Sequence, residues 1–142
     1  MRLAVVGIGL MGGSIALSLK KKGMVSKVIG VDQNIEHQNL ALQLGIVDEI
    51  MSLEEAVAAS DLIAIATPIN VAESLLPTIL NLVNKQVVFD LGSTKESIVN
   101  IAKAHVNKGR FVPTHPMWGT EFSGPAAAQD DAFVDKATII CN

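Results

Sequence analysis

Short apolar runs alternate along the chain with longer segments that are apolar on one side only. The runs are nearly continuous, which is typical of strands covered on both faces in a parallel sheet. Six such runs predict six strands: LAVVGI (3–8), KVIGVD (27–32), LIAIAT (62–67), QVVFDL (86–91), RFVP (110–113) and ATIIC (137–141). Residues 47–50 are a weaker candidate for a short seventh strand.

The segments between these runs predict helices. Within residues 14–22, Ile15 and Leu19 lie four positions apart, three lysines close the segment, and Gly23 ends it. Residues 36–44, 53–59, 71–82 and 95–107 are the other helical candidates. Alternating strands and helices indicate βαβ units, so we predict an α/β fold of the Rossmann type. Its sheet is doubly wound and mainly parallel, with helices on both faces.

Composition narrows the class of protein. The 142 residues, 49% of them hydrophobic, suit one domain over residues 1–142 with a buried core. A net charge of -3, with no basic cluster beyond residues 20–22, argues against nucleic acid as a partner. The apolar start is too short for a membrane span or a signal peptide. A single cysteine, Cys141, favours the cytoplasm, and no metal site is predicted.

The first strand runs into GIGLMGGS (7–14), which matches G-x-G-x-x-G at a strand-to-helix junction. Gly7 permits the tight turn, Gly9 lets a pyrophosphate approach the backbone, and Gly12 allows the helix to pack on the strand. Leu10 and Met11, between Gly9 and Gly12, complete the predicted cofactor loop. The alternative is an ordinary tight turn, because glycines alone are a weak signal.

The second strand ends at Asp32, twenty residues beyond Gly12. A carboxylate there can bind the adenosine ribose hydroxyls and repel a 2′-phosphate, so NAD is favoured over NADP. The alternative role for Asp32 is a helix N-cap, for which Asn34 competes. Thr67 and Pro68 follow another strand and are expected to line the same cofactor cleft, although Pro68 also suits the start of the next helix.

QVVFDLGSTK (86–95) brings Asp90, Gly92, Ser93, Thr94 and Lys95 to a strand-to-helix junction. Either hydroxyl would serve as a helix N-cap in the structural interpretation. As the chemical alternative, Ser93 belongs to the catalytic and cofactor sites.

RFVPTHP delivers His115 from the following strand end, so Ser93 and His115 are predicted to face one crevice. A histidine can accept a proton from the substrate group on the carbon that also loses a hydride, and a nearby hydroxyl can select the tautomer of the histidine. His37 and His105 lie in polar helical stretches and are interpreted as surface residues.

Five segments, GIGLMGGS, VDQN, ATP, DLGSTK and THPMWGTEFSGPAAA, together resemble the prephenate dehydrogenases, NAD(P)-dependent enzymes of tyrosine biosynthesis. The resemblance spans nearly the whole chain, and its histidine segment is the most specific part. It implies oxidative decarboxylation of prephenate to 4-hydroxyphenylpyruvate, or of arogenate to tyrosine. Loss of carbon dioxide and aromatisation of the ring then drive the reaction.

The resemblance also implies roles for individual residues. His115 would bind the substrate's ring hydroxyl and accept its proton, while Ser93 would orient His115 and the nicotinamide. Gly119, Thr120 and Glu121 would border the substrate pocket. From the residues alone, Glu121 is either solvated or gates a charged substrate, and the nearby Trp118 is either core or pocket wall.

Members of this family carry a helical second domain that forms a homodimer and supplies an arginine for the substrate carboxylate. The sequence ends before such a domain, and its two arginines are Arg2 and Arg110. We therefore expect a fragment that binds NAD but turns over poorly. The alternatives are another hydroxyacid-type dehydrogenase, whose family would use a catalytic lysine, and a non-enzymatic NAD-sensing module, which would not need His115.

Overall fold

The structure, a computed structural model, describes residues 1–141. Its elements are β1 Arg2–Val6, α1 Leu10–Lys21, β2 Lys27–Val31, α2 Ile35–Gln43, β3 Glu49–Ile50, α3 Leu53–Ala59, β4 Leu62–Ile65, α4 Ile69–Leu82, β5 Val87–Asp90, α5 Glu96–Lys103, β6 Phe111–Pro116 and β7 Thr138–Ile140. Two short 3-10 turns cover Lys108–Arg110 and Pro125–Ala127.

The strands form one seven-stranded sheet in the order β3-β2-β1-β4-β5-β6-β7. Neighbours from β3 to β6 are parallel, and β7 is antiparallel to β6. The chain moves outward from β1 to β3 and then returns to β4 on the other side of β1. The carboxyl ends of β1 and β4 therefore border a topological switch point, where ligands bind in open α/β sheets. The predicted fold class is confirmed.

Both faces of the sheet are buried along β1, β2 and β4, which explains their continuous apolar runs. The edge strand β7 is exposed, so the prediction that the run 137–141 is covered on both faces is wrong. Ala4 and Val6 pack on one side, in a cluster that includes apolar residues of α3, α4 and α5. Leu3 and Val5 pack on the other side, with Ala16 of α1 among their cluster. Because successive strand residues point to opposite faces, a strand covered on both sides has no polar face to reveal.

Two helix boundaries differ from the predictions by four residues, and the others by no more than two. Helix α1 begins at Leu10, four residues before the predicted start, because the glycine loop leads directly into its first turn. Helix α5 ends at Lys103, where a continuation to residue 107 was predicted. The His105 ring accepts the N–H of Asn107 at 3.0 Å, so this N–H bonds to a side chain and not to a backbone carbonyl of the helix.

His105 also lies 2.9 Å from the amide oxygen of Asn81 on α4. It is half-buried in the turn after α5, so the placement of His105 within a helix is wrong. No helix within residues 1–141 is long and apolar enough to cross a bilayer.

Candidate active site

The glycine loop between β1 and α1 is shaped by three glycines with different surroundings. Gly7 has a φ of 93°, and a Cβ there would lie 2.9 Å from the backbone of Ala66. A Cβ on Gly12 would lie only 2.0 Å from the carbonyl oxygen of Gly7. By contrast, a Cβ on Gly9 would meet nothing within 4 Å. Two of the glycines thus permit close packing, and the third leaves open space beside the backbone.

Helix α1 starts at this loop with its N-terminal backbone groups uncapped. Gly9 is its N-cap residue, no side chain caps it, and the first turn contains no acidic residue. The first N–H groups of a helix, here those of Leu10, Met11 and Gly12, have no partner within the helix. Together with the positive end of the helix dipole they form a site for an anion such as a phosphate.

Asp32 directly follows β2 and is tied to the glycine loop. Its Oδ2 accepts the N–H of Ile8 at 2.8 Å, and its Oδ1 accepts the N–H of Asn34 at 2.8 Å. The cap of α2 is Asn34, whose side chain accepts the N–H of His37 at 3.2 Å. The alternative role of Asp32 as that cap is therefore wrong. Its carboxylate instead faces the cleft beside the glycines.

A cleft of about 870 Å³ opens above the carboxyl ends of β1, β2 and β4. Five predicted cofactor residues line it: Gly7, Gly9, Asp32, Thr67 and Pro68. Its other walls include the apolar side chains Ile50, Met51, Leu53, Val71 and Leu75. The remaining predicted cofactor residues do not line it: Leu10, Met11 and Gly12, which lie in the first turn of α1, and Ser93.

Thr67 and Pro68 occupy the side of the cleft formed by β4. The hydroxyl oxygen of Thr67 is buried without a hydrogen-bond partner, so it is available to a bound molecule. Pro68 is the N-cap residue of α4 and also lines the cleft; its contact with a cofactor stays a prediction. The open Gly9 and this unpartnered hydroxyl fit a dinucleotide in the cleft.

Sequence reasoning missed several polar residues of the cleft. His37 lines it, and its Nδ1 lies 3.8 Å from Oδ2 of Asp32, so His37 is more than a surface residue. Ser52 and Glu55 form a capping box at the start of α3 and also line the cleft. Hydrogen bonds from the hydroxyl and backbone N–H of Ser52 hold the pKa of Glu55 below its ordinary value of 4.5. The S-x-x-E spacing was the signal that could have identified this pair.

Ser93 and His115 leave the same edge of the sheet. Ser93 follows β5, and His115 lies near the end of β6. These adjacent parallel strands pair Asp90 with Pro113. Ser93 is exposed and His115 half-buried, and neither lines the large cleft. Helix α5 has no side-chain cap, so the cap interpretation of Ser93 and Thr94 is wrong. A direct meeting of Ser93 with His115 stays a prediction.

Asp90, at the end of β5, is a buried residue whose hydrogen bonds join these two strands. Its side chain is 1% exposed and pairs with the ammonium group of Lys95, which is 12% exposed. Its Oδ2 also accepts the N–H of Gly92, and its Oδ1 accepts the N–H of Thr114, both at 3.1 Å. The Thr114 hydroxyl donates to the carbonyl oxygen of Asp90. An acidic residue at the end of an apolar strand was the sequence signal that could have identified this buried group.

The segment 117–137 connects β6 to β7 and contains the predicted substrate residues. Gly119 and Glu121 are exposed, while the hydroxyl of the half-buried Thr120 accepts the N–H of Phe122 at 3.2 Å. Trp118 packs edge-on against Phe133, with ring centroids 5.7 Å apart. Trp118 therefore stabilises the segment itself.

Further along, the same segment is fastened to α1. Ser14 accepts the N–H of Gln129 at 3.0 Å, and Ser18 donates to the carbonyl of Asp130 at 3.1 Å. Lys21 forms an ion pair with the Asp130 carboxylate at 3.0 Å. The helix that begins at the glycine loop thus also anchors the segment that follows His115.

Comparison with known proteins agrees with this geometry. The family model for the nucleotide-binding domain of prephenate dehydrogenase matches residues 15–142. Prephenate dehydrogenase of Lactococcus lactis subsp. cremoris is 35% identical over 98% of this chain, which corresponds to 40% of that protein. The chain thus spans less than half the length of this curated relative.

Solved structures give the same result. The Aquifex aeolicus prephenate dehydrogenase in complex with hydroxyphenyl propionate and NAD+ has a TM-score of 0.90 and 31% identity, covering all of this chain and 50% of that one. Synechocystis arogenate dehydrogenase has a TM-score of 0.83 and 26% identity, covering 99% of this chain and 49% of that one. The predicted resemblance and nucleotide cofactor are confirmed: this chain belongs to the prephenate dehydrogenase family and carries the nucleotide-binding domain of that family.

Proposed function

We propose that this chain binds NAD in the cleft and contributes the dehydrogenase half of an enzyme that oxidatively decarboxylates prephenate. The observation that carries the proposal is the arrangement of the cleft, with an open glycine and a free helix N-terminus near one carboxylate. Asp32 would accept hydrogen bonds from the adenosine ribose hydroxyls and repel a 2′-phosphate, so NAD binds better than NADP.

The other cofactor contacts follow from the cleft. The N–H groups of Leu10, Met11 and Gly12 hold the pyrophosphate, which approaches the backbone at Gly9. Thr67, which lies beside the glycine loop, offers its unpartnered hydroxyl. When bound, NAD supplies the acceptor for a hydride from the substrate ring.

The catalytic residues in this proposal are His115 and Ser93. The His115 imidazole accepts the proton of the substrate's ring hydroxyl as the hydride leaves the carbon that bears this hydroxyl. The Ser93 hydroxyl orients that imidazole and the nicotinamide. Ser93 follows β5 and His115 lies in β6, and both strands end at the edge of the sheet where the cofactor cleft opens, which supports these roles.

Substrate binding in the proposal involves Gly119, Thr120 and Glu121, together with residues beyond the 142. Arg2 begins β1 and Arg110 precedes β6, so both lie at the edge of the sheet opposite the cleft. Arg2 lies 3.8 Å from the carboxylate of Asp61, and Arg110 donates to the carbonyl of Lys85. Neither arginine is available to a substrate carboxylate. We therefore propose that a second domain supplies that contact and forms the family's homodimer in the cytoplasm.

Calorimetric titration of the chain with NAD and NADP tests the cofactor assignment. The reaction is tested by following NADH formation from prephenate and from arogenate. For this assay the chain is fused to the part of the Lactococcus lactis relative that follows the matched region. We expect NAD binding by the chain, and turnover by the fusion but not by the chain alone.

His115→Asn in the fusion separates an enzyme from an NAD-sensing module. For a dehydrogenase, turnover falls by at least about a hundredfold while NAD binding persists. A fusion that binds NAD but ignores both substrates would refute the proposed reaction. Faster turnover of arogenate than of prephenate would instead assign the arogenate-specific activity.

A further inference from the structure

The ion pair of Asp90 and Lys95 stands in a row of the sheet that is otherwise apolar. Asp90 pairs with Ile65 of β4, which in turn pairs with Val6 of β1. Val6 pairs with Val31 of β2. Three neighbouring strands thus carry an aliphatic residue where β5 carries a buried acid. The packing of the sheet at this level does not require a charge.

Burying such a pair is also an inefficient way to stabilise a fold. Removing two charges from water costs several kcal/mol per ion, and well-packed apolar residues often replace a buried pair without loss of stability. The side chains of Asp90 and Lys95 are 1% and 12% exposed. This pair therefore calls for an explanation other than stability.

The hydrogen bonds of Asp90 supply an explanation other than stability. Oδ2 holds the N–H of Gly92, the residue immediately before Ser93. Oδ1 holds the N–H of Thr114, the residue immediately before His115. One carboxylate thus binds the backbone N–H of the residue before each predicted catalytic side chain. One of these side chains lies in the turn after β5 and the other in β6.

Lys95 completes the arrangement from the other side of Ser93. Its ammonium group reaches back to Oδ2 of Asp90, so the turn that carries Ser93 is held at Gly92 and at Lys95. A Cβ on Gly92 would lie 3.1 Å from Oδ2 of Asp90 and 3.5 Å from Nζ of Lys95. The turn is packed tightly against the pair, and its position depends on it.

We propose that Asp90 and Lys95 are positioning residues that set the Ser93 turn relative to His115. The proposal rests on the proposed function for the chemistry of those two side chains. The geometric part, that the pair orders both segments, holds for the chain without any substrate.

The geometric part is tested first, by NMR relaxation and amide exchange on the 142-residue chain. In Lys95→Met, we expect increased fast motion at the Ser93 and His115 amides and at least about tenfold faster exchange of the Thr114 N–H. Lys95→Arg, which preserves the charge, should restore both. Lys103→Met, at the exposed end of α5, is the matched control and should behave as wild type.

The catalytic part is tested in the fusion described above. Lys95→Met should lower kcat by about ten- to a hundredfold, because small misplacement of catalytic groups has effects of this size. The KM for NAD should change much less than kcat, since neither Asp90 nor Lys95 lines the large cleft. Lys95→Arg should recover most of kcat. A merely structural role would lower kcat only together with the melting temperature, so a loss and rescue of kcat at unchanged melting temperature identifies positioning.

The outcomes are distinguishable. Wild-type order at Ser93 and His115 in Lys95→Met would overturn the proposal, whatever the fusion does. An inactive wild-type fusion would refute the proposed function and leave the NMR result to decide the positioning role. If Lys95→Met does not fold, the neutral pair Asp90→Asn with Lys95→Met takes its place, and wild-type kcat in that variant would also overturn the proposal.

Discussion

Replacing Gly9 and Gly12 separately by alanine should divide cofactor binding from folding. Both residues belong to the same loop, and both substitutions add one methyl group. The methyl group at Gly12 would lie 2.0 Å from the Gly7 carbonyl oxygen and 2.9 Å from Cγ1 of Val5, where ordinary contacts begin at 3.4 Å. The methyl group at Gly9 would meet nothing within 4 Å. The expected effects therefore differ in kind.

For Gly12→Ala, overpacking costs typically about 1–3 kcal/mol, and the closest atom is a backbone oxygen that cannot rotate away. Alanine recovers up to about 1 kcal/mol of helix propensity. The upper end of the overpacking range, about 3 kcal/mol, less this recovery gives an expected net loss of about 2 kcal/mol of unfolding free energy. For a chain of this length, that corresponds to a fall of about 4–8 °C in Tm. NAD binding should weaken too, because the loop must move.

For Gly9→Ala, the change in unfolding free energy should stay below about 1 kcal/mol, the usual range for an N-cap residue. Its methyl group occupies the space that a pyrophosphate would approach. The Kd for NAD should rise at least about tenfold, equivalent to about 1.4 kcal/mol.

Thermal unfolding and calorimetry measure both quantities on the same samples. Gly109→Ala is the matched control, because a Cβ there also meets nothing within 4 Å and the residue precedes β6 at the edge away from the cleft. Wild-type NAD affinity in Gly9→Ala would refute the placement of the pyrophosphate. Wild-type stability in Gly12→Ala would refute the packing argument.

Three further substitutions test the cleft and the acid response. Asp32→Asn removes the charge that opposes a 2′-phosphate, so the ratio of NAD to NADP affinity should fall at least about tenfold in calorimetry; an unchanged ratio contradicts that role. Thr67→Val removes a buried hydroxyl that has no partner, so Tm should hold or rise while NAD affinity falls, and wild-type affinity would exclude a cofactor contact. The backbone N–H of Arg2 holds the pKa of Asp61 below its ordinary value of 3.8. This stabilises the fold above about pH 4 and is lost as the pH falls through the lower folded value. Asp61→Asn should therefore flatten the acid limb of Tm against pH, and an unchanged limb would refute the linkage.

Several features were predictable from residues close together in the sequence. The strands and their order along the chain followed from apolar runs separated by amphipathic segments, because a buried strand excludes polar residues. The glycine loop and Asp32 were predicted from their spacing around one strand–helix–strand unit. Element ends were less accurate, as with α1 at Leu10, because glycines inside a first turn carry no helical pattern.

The convergence of distant side chains was decided by the tertiary structure. Thr114 meets Asp90 from 24 positions away, and Gln129 meets Ser14 from 115 positions away. By itself, the sequence determined the alternation of strands and helices and the chemistry of the nucleotide loop, because both depend on local pattern. Strand order and register determined which polar groups share a site, because hydrogen bonds between strands join residues that no local pattern connects.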